Sequence, residues 1–205
     1  MKKEMLSLIF AGILLVIFCL ILYLVWAKKV DEIDKKVYNF IAKFINPLHT
    51  KIMKTITFFG GVKGIILSIL LSYFFLNDHF DRCFLAVGIL GEAILNNVIK
   101  IIIKRFRPTI NPLVTETGYS FPSGHSMSST ALFSLFIFFI WHAPFVILLK
   151  IVLTSLCILM ILSVLISRVY LGVHYISDVT AGFCLSLAYV LFITFFYSSL
   201  RNYFI

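Results

Sequence analysis

The sequence predicts an all-α membrane protein, a bundle of six transmembrane helices with an amphipathic helix lying in the interface after the first span. Three observations predict it. Hydrophobic residues fill 61% of the 205 positions and charged residues only 13%, with a mean hydropathy of +1.05. A soluble domain carries roughly twice that charged fraction. Apolar runs recur near the roughly 20-residue length that a helix needs to cross a bilayer. Between the first two runs, apolar residues return every three or four positions among lysines, the period of a helix with one greasy face. The length suits a single domain over residues 1–205.

The first run, residues 6–27, has no charged residue and follows Lys2 and Lys3. Its apolar core exceeds the roughly 7–15 residues of a signal peptide, so it reads as a retained span. Residues 28–55 carry seven lysines and three acids, with Val30, Ile33, Val37, Phe40, Phe44 and Leu48 at helical spacing. They read as an interfacial helix with lysines toward head groups; a loop packed on the bundle is the alternative. Further spans fall at 56–76, 83–103, 125–141, 145–166 and 176–197. Gly60 and Gly64 make a small-xxx-small pair in the second span, which suits helix packing. Six crossings place both termini on one side. They also bring connections 104–124 and 167–177 to one face, with 77–82 and 142–144 on the other.

The formal charge of +9 comes from 18 basic against nine acidic residues. In a soluble chain that excess would suggest nucleic acid. In a membrane chain the fitting partners are the bilayer's anionic head groups and phosphate-bearing substrates, and neither nucleic acid nor an obligate protein partner is expected. Cys19, Cys83, Cys157 and Cys184 all lie in apolar runs and form no Cys-x-x-Cys pair. They read as small buried apolar residues.

Three stretches carry chemistry. The third span ends in Lys100-Ile-Ile-Ile-Lys-Arg-Phe-Arg107-Pro108. Seven residues return a helix almost to the same azimuth, so Lys100 and Arg107 can reach one point, although an interfacial basic anchor would look similar. Phe121-Pro-Ser123-Gly124-His125 opens the fourth span. The free N–H groups of a helix start suit an anion, and Gly124 lets the backbone approach it. Last comes Ser167-Arg168-x5-His174-x3-Asp178. On a helix, i,i+4 spacing lets the carboxylate fix the imidazole tautomer and leave the other nitrogen as a nucleophile. A buried His–Asp pair that only links helices, or a metal site of His125, His174 and Asp178, would use the same residues. The converging cations favour a bound anion over a metal. Glu92, Asn96 and Lys100 form a polar stripe in the third span; Glu92 fits a partner for a site cation or for Asn96. His49, His79 and His142 lie outside these stretches and read as interfacial polar residues.

Lys-x6-Arg-Pro, Pro-Ser-Gly-His and Ser-Arg-x5-His-x3-Asp, in that order between those spans, resemble the signature of the type-2 phosphatidic acid phosphatase superfamily. All three are complete here. The resemblance implies a bacterial membrane lipid phosphatase similar to phosphatidylglycerophosphatase B or undecaprenyl-diphosphate phosphatases. By that likeness Lys100, Arg107 and Arg168 hold the phosphate with Ser123 and the backbone at Gly124. His174 attacks phosphorus, Asp178 orients it, and His125 protonates the leaving alkoxide. No metal or other cofactor is implied. The family places the site on the extracytoplasmic face, whereas the lysines of 28–55 argue the reverse. A lipid phosphotransferase, a non-enzymatic transporter and a vanadate-binding peroxidase are the competing readings. The lipid itself (phosphatidylglycerol phosphate, phosphatidic acid or undecaprenyl diphosphate) is left open.

Overall fold

The computed structural model describes residues 2–76 and 78–204, with side chains from Met5 onward. The side chains of Lys2 and Lys3, and Asn77 in the 77–82 connection, lie outside the described residues. The described chain is helical: α1 Lys2–Trp26, α2 Asp31–Ala42, α3 Pro47–Phe58, α4 Val62–Ser72, α5 His79–Ile103, α6 Gly124–His142, α7 Ile147–Tyr170, α8 Ile176–Phe195 and α9 Tyr197–Phe204. Of these, α1, α5, α6, α7 and α8 are long and apolar enough to cross a membrane, and α3 with α4, bent by 55° at the break, is long and apolar enough only as a pair.

Local chemistry sets the ends. Asn46 caps α3 by accepting from the His49 N–H at 2.8 Å, with Pro47 in the first turn. Asp78 caps α5 through the Phe80 N–H at 3.0 Å. Lys104 ends α5 in the left-handed region at φ 52°, its N–H returning to the Lys100 carbonyl. Gly172, at φ 70°, turns the chain between α7 and α8.

Burial sorts the bundle. Half of the apolar stretch of α6 and 56% of that of α8 are buried, against 11% for α1 and α7, so α6 and α8 are the central helices. α8 packs against α1, α6 and α7, and α6 also meets α5. Leu85, Leu132 and Leu135 of the main core are fully buried. At one end, Arg201 binds Asp78 at 2.6 Å and the Tyr197 hydroxyl at 2.7 Å. There, too, Arg82 donates to the carbonyls of Leu76 and Tyr73. This tie fixes α4, α5 and α9 together and leaves the opposite end for the polar loops.

Three expectations need correction. The second span is not one helix: it breaks at Phe59–Gly61, and Gly60, instead of pairing with Gly64 along one face, lies where the Val164 side chain and the His125 carbonyl come close. The amphipathic segment is likewise two helices, α2 and α3, separated by the turn that Asn46-Pro47 imposes. On α2 the buried residue is Asp34, while Ile33 and Phe40 are exposed. Finally, Cys19 and Cys83 are exposed on the outside of their helices; only Cys157 and Cys184 are buried.

Candidate active site

The polar end gathers the C-terminus of α5, the 104–123 loop, the first turn of α6, the last turn of α7 and the turn before α8. Lys100 sits on the last full turn of α5. A Cβ placed on Gly124 would lie 3.4 Å from its Nζ, so the missing side chain lets the ammonium approach the start of α6. Arg107 is braced by three carbonyls: Nε donates to Gly118 at 3.0 Å, Nη2 to Thr117 at 2.9 Å and Nη1 to Val173 at 3.1 Å. Nη1 also lies 3.0 Å from His174 Nε2.

Guanidinium can only donate. His174 Nε2 therefore accepts, its lone pair faces the cations, and the ring proton resides on Nδ1. Nδ1 looks toward Asp178 Oδ2 at 3.5 Å, a long contact rather than a hydrogen bond. His174 and Asp178 do not share a helix as expected. The Gly172 turn places His174 in the connection, while Asp178 stands in the first turn of α8 and accepts at 3.0 Å from the Tyr175 N–H. The imidazole is almost completely buried. Desolvation, reinforced by Arg168 and Arg107 against the pull of Asp178, lowers its pKa from 6.5 to about 4. It is a neutral base at neutral pH.

Arg168, 1% exposed, comes from the last turn of α7. Nη1 donates to Thr57 Oγ1 and Nη2 to Glu116 Oε1, both at 2.6 Å, while Nε is buried with no partner among the described residues. That orphan donor would be costly unless an acceptor reaches it. Glu116 Oε1 also lies 4.0 Å from His125 Nε2. Burial opposes ionisation of Glu116, but Arg168, His125 and Arg107 prevail and its pKa is lowered. His125, in the first turn of α6, keeps 24% of its side chain exposed against 1% for His174.

Ser123 is fully buried, and its Oγ accepts at 2.9 Å from the Ser126 hydroxyl as part of the α6 cap. Glu92 is fully buried, yet neither oxygen has a hydrogen-bond partner among the described residues. Asn96 turns instead to the Pro122 carbonyl and Met127 Sδ. Among the described residues, no three His, Cys, Asp or Glu groups are placed to hold a metal ion.

A model of the PAP2 superfamily matches residues 81–201, from α5 through α9. The chain belongs to the PAP2 superfamily. It is 32% identical over 162 residues to phosphatidylglycerophosphatase B of Bacillus subtilis, covering 77% of this chain and 80% of the relative. A dolichyldiphosphatase of Saccharomyces cerevisiae is 33% identical over 62% of this chain and 56% of its own. The crystal structure of a transmembrane PAP2-type phosphatidylglycerolphosphate phosphatase from Bacillus subtilis superposes with a TM-score of 0.87 at 28% identity, covering 94% of this chain and 98% of that one. The chain is accordingly a membrane phosphatase of the PAP2 superfamily.

Three residues of this PAP2 site escaped the sequence reading. Glu116 lies in an irregular loop with no periodicity to mark it. Arg105 stands beside Lys104 and Arg107 and reads as one more interfacial cation. Asp34 was the findable one, since it shares a helical face with Val30 and Val37.

Proposed function

We propose that the protein hydrolyses the terminal phosphate of a lipid phosphate or diphosphate through a phosphohistidine on His174. The observation that carries this reading is Glu116: a carboxylate rests between Arg168 and His125, where a phosphate oxygen would find the same charges. Substrate phosphate displaces Glu116 and takes donors from Arg168, Arg107, Lys100 and the N–H groups at Gly124. These groups stabilise charge on the equatorial oxygens in the transition state. His174 Nε2 attacks phosphorus in line, the P–O bond to the lipid breaks, and His125 gives its proton to the departing oxygen. His125 then takes a proton from water, which attacks phosphohistidine and releases inorganic phosphate. The more exposed histidine thus exchanges protons, and the buried one makes the bond. Ser123 supports the cradle through the α6 cap.

The lipid tail stays in the bilayer, and the names of the relatives span glycerophospholipid and polyprenyl phosphates. We place the site on the extracytoplasmic face. The test is phosphate release from phosphatidic acid, phosphatidylglycerol phosphate and undecaprenyl diphosphate by purified protein in detergent or liposomes. Turnover should survive exhaustive chelation, because the mouth is cationic, and orthovanadate should inhibit. Loss of turnover on chelation with recovery on adding a divalent ion would overturn the mechanism.

A further inference from the structure

Asp178 is held by a group outside the family motifs. Arg105 Nη1 donates to Asp178 Oδ1 at 2.6 Å and to Ser177 Oγ at 2.7 Å, while Nη2 donates to Asp34 Oδ2 at 2.7 Å. Its guanidinium lies over the Tyr175 ring, 4.1 Å from the centroid. Asp34 completes the set by accepting from the Ser177 N–H at 3.0 Å and the Ser177 hydroxyl at 2.7 Å. Both carboxylates are nearly inaccessible, Asp178 at 0% and Asp34 at 2%. Every carboxylate oxygen of the pair has a donor, the condition under which a buried ionic network is tolerated at all.

Two features exceed what helix packing needs. Asp34 is the buried residue of α2, so the interfacial helix docks on the bundle through a charge as well as through Ile41, which packs against the cluster of Tyr170, Leu171 and Val173. Arg105 also fixes one oxygen of Asp178 while the Tyr175 N–H fixes the other, which leaves the carboxylate no freedom to turn away from His174 Nδ1.

We propose that Arg105 and Asp34 are positioning residues for the nucleophile: Asp34, carried by the interfacial helix, holds Arg105, and Arg105 holds Asp178 with Oδ2 facing His174. The proposal rests on the phosphohistidine reading above. It ties seating of α2 to reactivity at His174, because the Asp178 that orients the imidazole is itself oriented from α2. A misplacement of about 1 Å at a reacting group can cost about 100-fold in rate.

The experiment compares wild type, His174→Ala, Arg105→Ala, Arg105→Lys and Asp34→Asn in detergent, with phosphatidic acid and p-nitrophenyl phosphate as probes. Arg105→Ala should lower kcat about 100-fold with KM little changed and with equal loss on both probes, since the defect lies at the nucleophile and not the leaving group. Arg105→Lys and Asp34→Asn should fall between. Arg105 lines a cavity of about 520 Å³ shared with Lys28, Lys35, Tyr38 and Lys104, so dilute guanidinium ion can enter. It should restore part of the rate in Arg105→Ala but none in His174→Ala, with potassium chloride as control. Should Arg105→Ala fail to insert as monodisperse protein, the charge-balanced Asp34→Asn/Arg105→Gln variant carries the same expectation.

A raised KM at full kcat would make Arg105 a substrate contact. A lowered melting midpoint with unchanged kcat would make the network merely structural. Either result overturns the proposal. A wild type that releases no phosphate overturns the hydrolase reading, a fully active His174→Ala overturns the phosphohistidine reading, and this proposal falls with either.

Discussion

His174 and His125 are distinguished by burial, and burial predicts different failures. His174→Ala should abolish turnover on every substrate and form no acid-labile phosphoenzyme. His125→Ala should be crippled on lipid phosphates, whose alkoxide needs a proton, but partly spared on p-nitrophenyl phosphate, whose leaving group departs almost unaided. Single-turnover kinetics on both substrates reads this, and equal losses in His125→Ala would mean the roles are misassigned. Burial also sets a pH signature. Unfolded, His174 titrates near 6.5; folded, desolvation holds it at about 4. Between those values the unfolded chain binds a proton that the folded chain refuses, so stability falls as pH drops through the window and is unaffected above it. The melting-midpoint advantage of wild type over His174→Ala should therefore shrink from about pH 6.5 down to about pH 4; a constant difference would count against a buried neutral imidazole. At this scale, residue types at fixed spacing made His125, His174, Arg168, Lys100 and Arg107 legible. The 3.5 Å approach of His174 to Asp178 is a helix-start geometry that i,i+4 counting could not distinguish from a helical one. Asp34 and Glu116 reach the site only through tertiary approach.

Elements carry the next level of information, and the broken second span shows how. The break brings Thr57 to Arg168 and puts Gly60 and Gly61 against the first turn of α6. Glycine pairs are tolerated inside spans, so hydropathy ran straight through this one; the contacts that require the break belong to α6 and α7. The two glycines predict different outcomes. A Cβ on Gly60 would lie 2.7 Å from Val164 Cγ1 and 2.9 Å from the His125 carbonyl. That carbonyl is helical backbone and cannot retreat, so Gly60→Ala should lower stability by about 1–3 kcal/mol. A Cβ on Gly61 would lie 3.1 Å from His125 Nε2, the tip of a ring that can swing. Gly61→Ala should therefore melt close to wild type yet lose more rate on lipid phosphate than on the aryl ester. Melting midpoints and the two kcat values check the pair, and an aryl-ester loss as large as the lipid loss would remove His125 as the group displaced. α2 teaches a related point: periodicity found the helix, but its inward face is marked by a buried acid that hydropathy scores as outward.

For the whole molecule, the open question with consequences is which face of the membrane holds the site. One end is tied by Arg82 to the Leu76 and Tyr73 carbonyls, by Arg201 to Asp78 and by Tyr197 to Asp81; the other carries the site and the lysines of α2 and α3. Counting Lys and Arg alone would put the site end in the cytoplasm. Arg105, Arg107 and Arg168 do not belong in that count, because carboxylates, carbonyls or a substrate phosphate fix their place. The remaining lysines, Lys28 and Lys29 among them, follow the first span closely and still favour the reverse; against them stands the family likeness, which the proposal of an extracytoplasmic site follows. The site end should therefore face outward. Ser120 is unsuitable as a labelling position: it is fully buried, and its hydroxyl donates to the carbonyls of Arg105 and Phe106. Thr115 in the site loop and Val146 in the α6–α7 connection are both exposed. In a chain whose own four cysteines are replaced, a membrane-impermeant maleimide should label Thr115→Cys in intact cells and Val146→Cys only after permeabilisation. The opposite pattern would place the phosphate cradle inside, and the lipid would then have to be presented from the cytoplasmic leaflet.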